Sequence, residues 1–199
     1  MLLGPPPTPR PGPAETIRAE LLGEWVPYVD GRPTNGGGVV LPGQTDDMSR
    51  WVTREQMRNA TKSAGPTALW YYCGTYRGKP VEDSAKATAG KHGGRTMMML
   101  IEELSLPTPY YSDYSERAAA FWRNASVGFS EAARGEIRIV FGDAVRKGNT
   151  WQRVECPILM ANPHVTAVLW AQPGTLFRQL LSRGQSDPRF QLPAGITLH

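Results

Sequence analysis

The sharpest hydrophobic–polar pattern in the chain lies between residues 115 and 134. Ala119, Trp122, Ser126 and Phe129 recur at spacings of three and four, which is one face of an α-helix. Ser115 stands where an N-cap belongs, and Gly135 stands where the helix must stop. The period then changes to two. Ile137, Ile139 and Phe141 alternate with Arg138 and Val140, which predicts a strand over Glu136–Phe141. Two apolar runs, Thr67–Cys73 and Val165–Trp170, predict buried strands. Val81–Lys91 predicts a small helix followed by Gly93-Gly94, and Thr96–Leu104 a strand turning into a helix or loop. Upstream, Thr45-Asp46-Asp47 is a helix start. Met48–Lys62 then predicts a helix with Trp51, Val52 and Met57 inward, stopped by Gly65-Pro66. Asp143–Asn149 reads as a loop, Thr150–Cys156 as a short extended segment, Pro157–Met160 as a helical turn and Thr175–Ser182 as a short helix.

Strands alternating with helices predict an α/β fold, with a small parallel or mixed sheet flanked by helices. The organisation expected is a Pro-rich tail (1–13), a helical N-terminal part with a Gly/Pro-rich loop (14–64), a catalytic core (65–185) and a C-terminal tail (186–199). The N-terminal part would hold a short helix, Ala14–Leu22, and an irregular stretch over 24–44 that includes Gly36-Gly37-Gly38. In sheets of this class ligands gather at the carboxyl ends of strands. That places the candidate site near Tyr72-Cys73-Gly74, near Thr96-Met97-Met98 and just beyond Phe141.

Composition narrows the chemistry. The 199 residues are 40% hydrophobic, enough for a real core, and six Trp and seven Tyr could pack it or stack a flat ring. The net charge of +4 is mild and its cations are dispersed, so a nucleic-acid partner is not expected from charge alone. Two cysteines, Cys73 and Cys156, are too few for a disulfide scaffold and read as free thiols, a single bridge between them being the alternative. No apolar run approaches the roughly 20 residues of a membrane span. Met1–Pro7 lacks the basic and apolar regions of a signal peptide, which leaves room for an effector exported by a dedicated machine. No metal-ligand spacing, phosphate-binding loop or Gly-x-Ser-x-Gly elbow occurs, so neither a metal nor a resident cofactor is expected.

What remains is an acid among apolar residues. Glu155 lies in Thr150-Trp151-Gln152-Arg153-Val154-Glu155-Cys156-Pro157, a segment too short to be a solvated charged face. It reads either as a surface acid paired with Arg153 or as a functional carboxylate. Trp122 reads equally as core packing, and Ser126 as a helix serine bonded to a backbone carbonyl.

Three separated motifs decide between these readings. They are Phe121-Trp122-Arg123-Asn124-Ala125-Ser126-Val127-Gly128-Phe129-Ser130-Glu131-Ala132-Ala133, then Glu136–Val140, then Thr150-Trp151 with Val154-Glu155. Their order and spacing resemble the ADP-ribosyl cyclase/NAD glycohydrolase family. That family carries a Phe-Trp-x-x-x-Ser-x-x-Phe helix, a strand, and a Thr-Phe-x-x-Val-Glu segment. More weakly, Tyr71-Tyr72-Cys73 resembles its Phe-Trp-Ser strand end, and Gly94–Met98 its Thr-Leu-Glu-Asp segment. The resemblance covers about residues 115–170 well and 67–104 in outline, and does not reach 1–60.

The resemblance implies an NAD+ glycohydrolase with Glu155 as catalytic carboxylate. NAD+, and NADP+ as a further candidate, would be substrate rather than cofactor. Trp122 would stack the nicotinamide ring, Tyr72 would replace a second active-site tryptophan, Ser126 would contact the ribose, and Thr150 and Trp151 would flank the diphosphate. Thr96 and Cys73 would lie near the pocket. Met98 stands where the family has an acid, and Met99 follows, so the partition between ADP-ribose and cyclic ADP-ribose is open, with Glu102 or Glu103 as replacement acids. Gly74 stands where relatives have an arginine, for which Arg77, Arg95 or Arg146 could substitute. The lack of disulfides fits a compact relative, in the style of an NAD-depleting toxin, and leaves room for an inhibitor or immunity protein. Two rivals remain: an ADP-ribosyltransferase acting on a macromolecule, and a non-enzymatic basic nucleic-acid-binding module.

Overall fold

The computed structural model describes residues 43–65, 68–110, 115–175, 177–182 and 196–198. The expectations for the Pro-rich tail, the helix at 14–22, the glycine triplet and most of the loop at 24–44 lie outside these residues, as does most of the tail at 186–199. The fold is α/β. Its main sheet combines β1 (Leu69–Cys73), β4 (Arg95–Thr96), β5 (Gly135–Phe141), β7 (Val165–Ala171) and β8 (Arg178–Ser182) in the order β4-β1-β5-β7-β8. The first four are parallel and β8 is antiparallel to β7.

The alternating strands sort the core into two faces. Leu69, Tyr71 and Cys73 of β1 join Ile137, Ile139 and Phe141 of β5 in the larger cluster. Trp70 and Val140 face the other way, against Val81, Ala85 and Ala89 around α2 (Glu82–Lys91). The larger face is covered by α1 (Arg54–Ser63), α3 (Met97–Leu104), α4 (Glu116–Glu131) and α5 (Cys156–Ala161). Ser115 caps α4 as expected, its hydroxyl accepting from the Ala118 N–H.

A second, smaller sheet lies beyond the carboxyl ends of β1 and β5. It is built from β2 (Thr75–Tyr76), β3 (Lys79–Pro80), β6 (Ala144–Val145) and β9 (Thr197–Leu198), in the order β3-β2-β6-β9. Two glycines let the chain pass between the sheets. A Cβ on Gly74, whose φ is +88°, would sit 2.2 Å from the Ala144 carbonyl, and one on Gly142 would sit 2.0 Å from that of Thr75.

Three expectations are corrected. The helix expected over Met48–Lys62 is two pieces. Asp47 caps a single turn at Met48–Arg50, and Thr53 begins α1 through a capping box with Gln56. Trp51, Val52 and Met57 still point inward. Thr175–Ser182 is not a helix, because β8 completes the ladder offered by the open edge of β7. Within the expected loop 143–149, Ala144–Val145 pairs with both β2 and β9.

Candidate active site

Residues 149–161 form one continuous helical segment, not the extended stretch expected over Thr150–Cys156. The buried Asn149 starts it. Its Oδ1 accepts from the Gln152 N–H at 3.0 Å and its carbonyl from the Arg153 N–H at 3.0 Å. Gln152 reaches back, its Oε1 accepting from the Gly148 N–H at 2.8 Å and from Asn149 Nδ2 at 3.2 Å. Asn149-x-x-Gln152 is thus a capping pattern written in the sequence. Pro157 shapes the turn before it. Proline has no N–H to donate, and its ring opposes a regular helical turn behind it. That turn is widened, the Cys156 N–H bonding the Trp151 carbonyl five residues back. Glu155 sits at the end of the widened turn.

The turn carries Glu155 inward and Arg153 outward. Glu155 is only 9% exposed, whereas Arg153 is exposed, its guanidinium lying over Gly148. A hydroxyl from another element, that of Tyr71, lies within reach of the Glu155 charge. Tyr71 of β1 is buried, and its phenol donates to the Oγ of the equally buried Ser130 of α4 at 3.2 Å. The Tyr71 ring is tilted against Phe129 at 5.1 Å and edge-on to Trp151 at 5.6 Å. Burial pushes the Tyr71 phenol well above its usual range. The negative charge of Glu155 pushes it further, and the bond to Ser130 opposes both.

Ser130 belongs to a row on α4 that climbs from the core. Ser126 is one turn before it and Trp122 two turns before. Trp122 is half-buried and edge-on to Phe121 at 4.9 Å. Phe121 is edge-on in turn to Trp51, whose indole N–H donates to the Thr45 carbonyl at 2.8 Å. Ser126 is buried, with its hydroxyl 3.9 Å from the sulfur of Met97. Met97 opens α3 directly after Thr96, whose buried hydroxyl caps that helix by accepting from the Met99 N–H at 3.1 Å.

The remaining expected site residues divide by depth. Tyr72 is half-buried and, by strand alternation, points away from Tyr71. Thr150 is half-buried at the start of the helical segment. Cys73, Cys156 and Met98 are core residues, and neither cysteine is joined in a disulfide. Trp151 is 3% exposed and lies edge-on to Tyr71 and Phe141. The two acids considered as replacements at Met98 are engaged elsewhere: Glu102 pairs with Lys86 at 2.7 Å and Glu103 with Arg95 at 2.8 Å. Among the described residues, no group of three or more His, Cys, Asp or Glu could hold a metal ion, and no helix is long and apolar enough to cross a membrane. Sequence reasoning missed Tyr71 and Ser130 as neighbours of the expected residues. The serine lay in plain view, four positions after Ser126 on the same helical stripe.

No protein-family model matches the chain, and neither does any curated protein. Among solved structures, the chain is similar to Aplysia cyclase in complex with its substrate NGD and product cGDPR, at 17% identity and a TM-score of 0.40. It is also similar to an ADP ribosyl cyclase in complex with N1-cIDPR, at 15% identity and a TM-score of 0.42. The matches cover 61% and 66% of this chain, and 56% and 60% of those chains. The likeness is distant, and the matched region spans little more than half the length of those proteins.

Proposed function

We propose that this chain is an NAD+ glycohydrolase that cleaves the nicotinamide–ribose bond, with Glu155 as the catalytic carboxylate. What supports the reading most is one arrangement. The Glu of the Thr-Trp-x-x-Val-Glu segment and the Trp-x-x-x-Ser pair of α4 come from separate motifs of the sequence. Trp122 packs on the same side of the main sheet as Tyr71, whose phenol bonds Ser130 one turn after Ser126 and feels the charge of Glu155.

The chemistry needs one carboxylate. Nicotinamide leaves as a neutral pyridine, taking the electron pair of the broken C1′–N bond, so no general acid is required. Positive charge builds on the ribose as the bond breaks. The Glu155 carboxylate stabilises that charge in a site where water screens it little. Water then adds to C1′ and releases its proton to solvent, giving ADP-ribose. The Trp122 face attracts the pyridinium of the ground state by about 0.5–2 kcal/mol and loses that contribution as the ring becomes neutral. On this reading Ser126 contacts the ribose and Thr150 the diphosphate. On the same reading the buried Thr96, Cys73, Met98 and Trp151 and the half-buried Tyr72 support the site. NADP+ is a second candidate substrate, cyclic ADP-ribose a minor product, and NAD depletion by a toxin the biological role.

The test is nicotinamide release from NAD+ by purified protein beside Glu155→Gln, with products resolved by chromatography. Release by the wild type that falls about 10²-fold or more in the variant is expected, the scale of losing one transition-state stabiliser. A folded wild-type protein that leaves NAD+ intact overturns the reading. Labelled ADP-ribose appearing on protein or nucleic acid instead of in solution favours a transferase.

A further inference from the structure

We infer that Met97 is a gate over Ser126: its thioether engages the buried hydroxyl and turns aside to let the ribose of the substrate take its place. The inference rests on the glycohydrolase reading above for the identity of the incoming group, and on the hydrogen bonding of α3 and α4 for the gate itself.

A hydroxyl inside a helix has an acceptor at hand, the carbonyl one turn back. Two threonines of this chain use it. Thr61 of α1 donates to the Met57 carbonyl at 2.8 Å, and Thr88 of α2 to that of Ser84 at 2.7 Å. Ser126 of α4 does otherwise. It is only 3% exposed, and among the described residues its hydroxyl donates to the Met97 sulfur, at 3.9 Å. A thioether is a weak acceptor. The buried hydroxyl is thus turned from the ordinary carbonyl bond toward a neighbour that satisfies it poorly, where a ligand oxygen would satisfy it better.

Met97 is placed to yield. It is the first residue of α3, directly after β4, and ligands gather at the carboxyl ends of strands in sheets of this class. The helix itself is fixed, the Thr96 hydroxyl accepting from the Met99 N–H at 3.1 Å. Met98 is buried in the core, whereas Met97 is half-buried, and its side chain is unbranched and adaptable. It can therefore turn while its backbone stays in place. Trp122, one turn before Ser126 on α4, is half-buried against the same apolar cluster as Met97. The way to the Ser126 hydroxyl runs past the one of these side chains that it already touches.

The gate is tested in the full chain. Met97→Leu keeps the volume and removes the sulfur acceptor, so the substrate no longer competes with it. KM for NAD+ is expected to fall about threefold in Met97→Leu with kcat little changed, the loss of one weak competing bond. Made in Ser126→Ala, the same substitution is expected to leave KM unmoved. An equal KM change with and without the Ser126 hydroxyl, or none in either, overturns the gate. A readout free of turnover is the methyl resonance of Met97 in protein labelled at the methionine methyls, identified by its loss in Met97→Leu. It is expected to shift in Ser126→Ala, on adding ADP-ribose to the wild type, and on adding NAD+ to Glu155→Gln. A resonance unmoved by Ser126→Ala overturns the contact, and one unmoved by both nucleotides overturns the gate. The two readings fail separately. Nicotinamide release with an unmoved methyl keeps the glycohydrolase and removes the gate. No release, with a methyl that NAD+ moves, keeps the gate of a nucleotide site and removes the glycohydrolase.

Discussion

Two adjacent aromatics of β1, Trp70 and Tyr71, point to opposite faces of the same sheet and meet opposite surroundings. Trp70 is sealed among Val81, Ala85, Ala89 and Val140, stacked on His92 at 6.0 Å and edge-on to Phe177 at 5.1 Å, with the Arg138 guanidinium 5.4 Å from its ring. Beside this face Lys86 bridges Glu82 and Glu102. Burial lowers the Lys86 pKa, and the bonds to those two acids more than reverse this, so the ammonium stays charged. Tyr71 meets the reverse: the charge of a carboxylate and the hydroxyl of Ser130 inside an otherwise apolar cluster. Apolar packing of the Trp70 kind stabilises a fold without polar partners. A buried carboxylate costs free energy and is kept where specificity or chemistry requires it. On the proposed reading, the Trp70 face serves stability and the Tyr71 face serves the reaction.

Mutations on each face should separate stability from activity. The largest expected effect is on the Trp70 side. Trp70→Ala should cost about 3–5 kcal/mol of unfolding free energy. The activity remaining per folded molecule should be close to wild type. Chemical denaturation read beside nicotinamide release checks both, and a specific loss of turnover with stability unchanged would erase the contrast. A smaller effect is expected at the foot of the Glu155 turn. Asn149→Ala removes a cap and should cost about 1 kcal/mol. It should also reduce turnover, because the turn it anchors carries Glu155; undiminished turnover in a measurably destabilised variant would detach the cap from the site.

The smallest effect is one of pH. Burial and the Glu155 charge raise the folded-state pKa of Tyr71 above the ordinary 10.0, so the native state holds the proton more tightly than the unfolded chain does. The stability this contributes is complete below pH 10.0 and is lost as pH rises through the folded-state value. Tyr71→Phe should therefore lose stability less steeply than wild type above pH 10.0, measured by denaturant titration at stepped alkaline pH. Parallel curves would mean that the phenol is not held as described.

Much of the frame was legible because strong periodicity needs no tertiary knowledge. Alternation fixed β5, the apolar runs fixed β1 and β7, and the three–four spacing with a serine cap fixed α4. What escaped falls into two kinds. Some of it was written locally and overlooked: the capping patterns Thr53-x-x-Gln56 and Asn149-x-x-Gln152 mark the two helix starts that were misplaced. The rest is not local at all. The strand at Arg178–Ser182 exists because β7 offers an open edge, and the two-residue strands of the small sheet have no period to detect. The site divides the same way. Glu155, Trp122 and Ser126 are candidates that motifs name. Tyr71, 84 positions before Glu155 in the chain, reaches it only once the sheet is assembled. Tyr72 is named by the resemblance, as the counterpart of a family tryptophan, and alternation alone does not say which face of β1 the carboxylate will approach.

The measurement that bears most directly on the central claim is nicotinamide release from NAD+ by the wild-type protein and by Glu155→Gln, both shown to be folded. Turnover by the wild type that drops by about 10²-fold or more in the variant is the result this account predicts. Equal release by the two proteins would contradict it, by removing Glu155 from the chemistry and returning the carboxylate to a structural role.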